Sequence, residues 1–146
     1  MKNWIKVIWR MNDKLEQIAG ALNKKITGAA LDIGGATVTG CEAVMKLVET
    51  KRATVNMRVM YNAMVAALSS EEARLMRGRF GEGVSLSHLA DEFGVGRFRL
   101  GKMIDGAMDR CIEAVKGLGV NGSGLERDYG GIHIFREAYG LMTNNN

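Results

Sequence analysis

Trp4, Ile8, Met11, Leu15, Ile18 and Leu22 follow one another at steps of four, three, four, three and four residues. That spacing sets all six on one stripe of an α-helix. Lys6, Arg10, Asn12, Asp13, Lys14, Glu16 and Gln17 fall between them and suit solvent. A helix is therefore predicted over about 3–25, and its apolar stripe needs a partner helix, in this chain or in a second copy. Proline is absent from the 146 residues and methionine occurs ten times. The first removes the usual helix breaker, and both fit an all-α protein with adaptable packing.

The segment Thr27–Gly40 gathers Gly28, Gly34, Gly35 and Gly40 among small residues. Each glycine weakens a helix by about 1 kcal/mol, so a loop is expected there, with a break at Gly34–Gly35 and a cap at Thr37 or Thr39. Helical character returns over about 38–68. Cys41, Val44, Met45, Val48, Val55, Val59, Met60, Ala63, Met64 and Ala67 offer a broad apolar face, with a kink allowed near Thr50–Thr54. The simplest arrangement folds this helix back on the first as a long antiparallel hairpin.

Apolar residues make up 47% of the chain and charged residues 25%, enough for a real core and against global disorder. The net charge of +4 is mildly basic, which suits nucleic acid without requiring it. Cys41 and Cys111 stand far apart with no ligand-type neighbours and read as small buried thiols of a reduced protein; a single disulfide is the alternative. The first ten residues alternate apolar and charged, unlike a secretory signal, and no apolar run reaches the length of a membrane span. His88 reads as a surface residue and His133 as part of the tail. Two histidines without close cysteines or acids make no zinc site. Asp32–Gly35 and Gly117–Gly119 lack the Gly-Lys-Ser/Thr of a phosphate loop. No catalytic set has a persuasive context, so neither an enzyme, a cofactor nor a metal is expected.

Ser69-Ser70-Glu71-Glu72 is a helix start. A serine caps the free N–H groups, the acids favour the positive helix end, and Ser69 and Glu72 have the spacing of a capping box. This third helix is expected to reach about Phe80 and to end at Gly81-Glu82-Gly83. Ser85 caps a fourth helix, Leu86–Phe93, in which Leu86, Leu89, Ala90 and Phe93 form one face. Gly94 supplies a left-handed turn, and Val95 plugs the gap between helices. A fifth helix runs from Arg97 to Lys116 with Leu100, Met103, Ile104, Ala107 and Met108 turned inward. Size, turn and spacing agree with a helix-turn-helix.

The segment Ser69–Val115 resembles region 4 of bacterial sigma factors. The match rests on Ser85, Leu86, Leu89, Ala90, Phe93, Gly94, Val95, Arg97 and Leu100, in register over about a third of the chain. The whole layout resembles small phage and prophage regulators of late transcription, either activators or Q-type antitermination proteins. Gly101 and Gly106, within the recognition helix, and the glycine-rich tail depart from that pattern. The resemblance implies a sequence-specific, DNA-binding transcription regulator in the cytoplasm of a bacterial host. The implied partner is double-stranded DNA, with the N-terminal helices supplying either homodimerisation or a contact with RNA polymerase, and no membrane. A polymerase-associated antitermination factor is the alternative, and a packaging adaptor like a small terminase subunit is a third reading.

Matching family positions put Arg97, Arg99 and Lys102 in the major groove, where arginine suits the O6 and N7 of guanine and lysine suits guanine or phosphate; a solvated basic face is the alternative. Phe98 contacts a thymine methyl, covers the helix start or touches a partner protein. Ser85 caps the fourth helix at the same surface, and Arg74, Arg77 and Arg79 hold phosphates or pair with Glu71, Glu72 or Glu82. Arg110 and Lys116 share that ambiguity. The expected division is a helical hairpin over 1–68, a helix-turn-helix over 69–116 and a glycine-rich tail over 117–146. Within the tail, Ile132–Met142 is expected to dock, and the remainder to be loosely held.

Overall fold

This computed structural model describes residues 1–32 and 38–144, except for the side chains at 29–32, 38, 39 and 144. Among the described residues the protein is all-helical. The elements are α1 (Lys2–Asp32), α2 (Val38–Ala67), α3 (Ser70–Met76), a π-helical turn (Arg77–Gly81), α4 (Leu86–Phe93), α5 (Arg97–Gly117), α6 (Gly122–Tyr129) and α7 (His133–Asn144).

The first half of α1 is the centre of the molecule. Trp4, Ile5, Val7, Ile8, Trp9, Met11 and Leu15 are all buried. A helix that is apolar on most of its sides belongs inside, and here α2, the π-turn, α5 and α7 pack around it. The heptad stripe is buried as its spacing predicts, with Ile18 half-buried. It does not pack on α2 alone, however: Trp4 lies 4.8 Å from the Tyr139 ring of α7 and 6.2 Å from Tyr129 of α6, centroid to centroid. Lys6 and Arg10, which the pattern assigns to solvent, are half-buried.

α1 runs on through Thr27 and Gly28 to Asp32, past the loop expected there. One glycine is a small loss in a long helix, and the Thr27 hydroxyl donates to the Asn23 carbonyl at 3.0 Å. The expected break at Gly34–Gly35 and the cap at Thr37 lie outside the described residues, whereas Thr39, the other cap expected, lies within α2 and is not its cap. Trp9, near the start of α1, meets Tyr61, near the end of α2, edge to face at 5.1 Å. Ile18 and Leu22 share a groove with Lys46, Leu47 and Thr50. The two helices thus run in opposite directions.

α2 is continuous through Thr50 and Thr54, whose hydroxyls donate to carbonyls four residues back, at 3.0 and 2.8 Å. That bond satisfies the buried Thr54 without a break. The side of α2 that packs inward is Ala53, Met57, Met60 and Met64. Of the face expected from sequence, Met45, Val48, Val55 and Val59 are exposed, as is Cys41. Cys111 is buried in the main core, and burial pushes its thiol up to about 11.

The tail is better held than its glycines suggest. α6 begins with Asn121, whose side chain accepts from the Gly124 N–H at 2.7 Å. Leu125, Tyr129, Phe135 and Ala138 are buried in the main core. Glu126 accepts from the Trp4 indole at 3.3 Å and pairs with Arg136, whose guanidinium lies over the Trp4 and Tyr139 rings. The expectation of a loosely held 117–131 is therefore corrected. A tail with an N-cap and one apolar face per helix needs only a surface to dock on, and the apolar start of α1 around Trp4 provides it.

Candidate nucleic-acid interface

α3, α4 and the first half of α5 enclose a small core of their own: Leu75, Leu89, Ala90, Leu100 and Ile104, closed by Phe80, Val84, Leu86, Phe93, Val95 and Met103. The second half of α5 contributes Ala107, Met108, Cys111 and Val115 to the main core. One helix thus belongs to both cores and fixes the front unit to the body. Glu72 strengthens the joint. One of its oxygens accepts from the Ser69 N–H at 3.0 Å in the capping box, and the other pairs with Arg110 of α5.

The turn between α4 and α5 follows from local chemistry. Ser85 caps α4 by accepting from the His88 N–H at 3.2 Å. Gly94 closes the helix in the left-handed conformation, φ 65° and ψ 34°. The Val95 N–H then bonds back to Ala90 at 3.0 Å and the Gly94 N–H to Asp91 at 3.3 Å, the bond pair of a Schellman closure. Two residues later α5 starts at Arg97, after Gly96, which provides no side-chain cap. The close approach of the π-turn to α4 depends on Gly78: a Cβ there would stand 3.0 Å from Leu89 Cδ2.

Arg97, Phe98, Arg99 and Lys102 are all exposed at the first turns of α5, and Phe98 is 78% exposed. The Lys102 ammonium lies 4.6 Å from the Phe98 ring centroid, a cation–π contact one helical turn apart. Among the described residues no carboxylate pairs with Arg97, Arg99 or Lys102. The exposed side of α5 then turns acidic at Asp105, Asp109 and Glu113. An anionic partner is therefore favoured at the first two turns and repelled beyond them.

The other candidate residues separate. Arg74 is held by Glu92 at 2.9 Å and Glu82 at 3.4 Å, which raise its pKa further, so its charge is already matched. Arg77 donates to the Tyr61 hydroxyl at 3.4 Å. Lys116 is exposed. Arg79 donates to the Val84 carbonyl at 3.3 Å and lines a cleft with Lys6 and Arg10 of α1. These two α1 cations carry no sequence signal of a site, because they reach the π-turn only through the fold. His88 is exposed; His133 is exposed too, 3.8 Å from Glu137. Among the described residues no cluster of His, Cys, Asp and Glu could hold a metal, and no helix is long and apolar enough to cross a membrane.

No protein-family model, curated protein or solved structure matches the chain.

Proposed function

We propose that α4, the Gly94 turn and α5 act as a helix-turn-helix, and that the protein is a sequence-specific DNA-binding regulator of transcription in a bacterial cytoplasm. One observation carries this reading. Arg97, Phe98, Arg99 and Lys102 stand exposed at the start of a helix that a dedicated small core holds in place, with no carboxylate paired to them among the described residues. In a helix-turn-helix that end enters the major groove, where Arg97 and Arg99 have the donor geometry for guanine and Lys102 the charge for guanine or phosphate. The acidic residues from Asp105 onward limit the contact to the first two turns. Ser85 caps the start of α4, and Arg79, bonded to the Val84 carbonyl, supplies a cation beside that cap.

A polymerase-associated antitermination role is the second reading. The exposed Phe98 and the outer row of α2, Met45, Val48, Val55 and Val59, favour it, because both would suit a protein partner. The N-terminal helices would then supply a contact with polymerase or with a second copy. Molar mass in solution, with and without duplex, separates these from a packaging adaptor, which would form a large ring.

The test is fluorescence anisotropy on a selected duplex and a scrambled one. Arg97→Ala or Arg99→Ala should cost about 1–3 kcal/mol on the selected site and much less on the scrambled one. Parent affinity should fall steeply with salt on both. Equal affinity of mutant and parent on the selected site would remove the recognition role and leave partner binding as the account of this face.

A further inference from the structure

We propose that the cleft between α1, the π-turn and α7 is a phosphate site, and that it takes a backbone phosphate of the duplex held by α4 and α5; this second clause rests on the DNA-binding reading above. The cleft has a volume of about 570 Å³ and opens to solvent. Lys6 and Arg10 enter it from α1, one turn apart, and Arg79 enters from the π-turn. Leu141 and Met142 of α7 give it an apolar wall. Among the described lining residues three cations accompany one carboxylate, Glu82, which is also shared with Arg74 at 3.4 Å. The two guanidinium groups, Arg10 and Arg79, come from opposite parts of the chain and alone outnumber that carboxylate.

The two guanidinium groups are set in advance. Arg10 donates one N–H to the Gly81 carbonyl at 3.2 Å, and Arg79 donates one to the Val84 carbonyl at 3.3 Å. The loop that receives them is itself fixed, with the Glu82 N–H bonded to Arg77 and the Val84 N–H to Gly78, both at 2.9 Å. Each guanidinium has five donors, so these anchors use only part of the fork. A pre-positioned fork loses little side-chain freedom when it grips a phosphate. The Lys6 ammonium lies 5.5 Å from the Phe80 ring centroid. Burial first, then the positive charge of Arg79 and Lys2, holds its pKa below the ordinary lysine value. Cations gathered this closely raise one another's energy, and an anion among them lowers it.

The source of the phosphate follows from position. Val84, which anchors Arg79, immediately precedes Ser85, the cap of α4. Phe80 and Val84 also close the small core beneath α4 and α5. The loop that anchors Arg79 is therefore tied to the same small core that holds the start of α5. A helix seated in the major groove is flanked by backbone phosphates, and the elements before it meet them. α1 would then add a contact from outside the helix-turn-helix.

The test uses the full chain carrying Lys6→Gln, Arg79→Gln or both, with anisotropy measured on selected and scrambled duplexes across salt. The double variant should weaken both duplexes alike, several-fold. It should also lower the slope of log affinity against log salt by about 1, the loss of one phosphate contact. An unchanged slope with unchanged affinity overturns the proposal. If Arg79→Gln lowers the melting temperature, Lys6→Gln, which leaves the Arg79–Val84 bond in place, carries the test alone. If the parent binds no duplex, the DNA-binding reading falls and the cleft is judged by inorganic phosphate titrated into isotope-labelled protein. Amide shifts at Gly81, Gly83 and Val84 that vanish in the double variant would keep a phosphate site fed by a soluble source. No shift at those amides would overturn it.

Discussion

Gly94 has open space around it: nothing lies within 4 Å of where a Cβ would stand, yet its φ of 65° is one that side chains resist. The cost of Gly94→Ala is therefore a backbone cost, about 1–2 kcal/mol, and Gly94→Asn should cost less, since asparagine tolerates this conformation. Urea unfolding of the three proteins checks both the size and the order; an alanine variant as stable as the parent would refute the account. The same residue marks what could be read from sequence. Ser69, Ser85 and Gly94 act through bonds to residues no more than four positions away, so their types and spacing announce them. Arg10 bonds across 71 positions to Gly81, and no local pattern encodes such a meeting. The exposed cations of α5 were legible because the apolar residues between them, Leu100 and Met103, fix which side faces inward.

α2 shows why an element can be legible while its orientation is not. Ala53, Met57, Met60 and Met64 step by four, three and four, and so do pairs within Met45, Val48, Val55 and Val59. Both rows satisfy helical periodicity, and apolar count alone favours neither. What selects the inner row is the surface of α1, which the sequence of α2 does not contain. The two rows should therefore respond oppositely to substitution. Met57→Ala and Met64→Ala, each wholly buried, should lower stability by about 2–5 kcal/mol. Val55→Lys and Val59→Lys, about half exposed, should change it by less than about 0.5 kcal/mol in the monomer. Chemical unfolding at low protein concentration measures this, and a large loss at Val55 or Val59 there would reverse the assignment of faces.

At the scale of the whole molecule, α1 joins parts that the sequence presents as separate. Its start is covered on one side by α2 and on another by α7, with α5 and the π-turn against it as well. The glycines of 117–131 hide this, because composition registers flexibility, whereas docking depends on Leu125 and Tyr129 joining the main core, where Tyr129 meets Trp4. A truncation after Gly119 tests the arrangement. It removes the buried Leu125, Tyr129 and Phe135, each worth about 1.5–3 kcal/mol of burial, from a chain whose total stability is on the order of 5–15 kcal/mol. It also strips the cover from Trp4, which is only 2% exposed in the intact protein. The shortened protein should unfold well below the parent temperature, show red-shifted tryptophan emission and lose amide protection along 2–11. The small core of Leu75, Leu89, Ala90, Leu100 and Ile104 contains no tail residue, so protection in α4 should outlast protection in α1. A truncated chain that melts within a few degrees of the parent, with unshifted emission, would mean that the tail rests on α1 without supporting it.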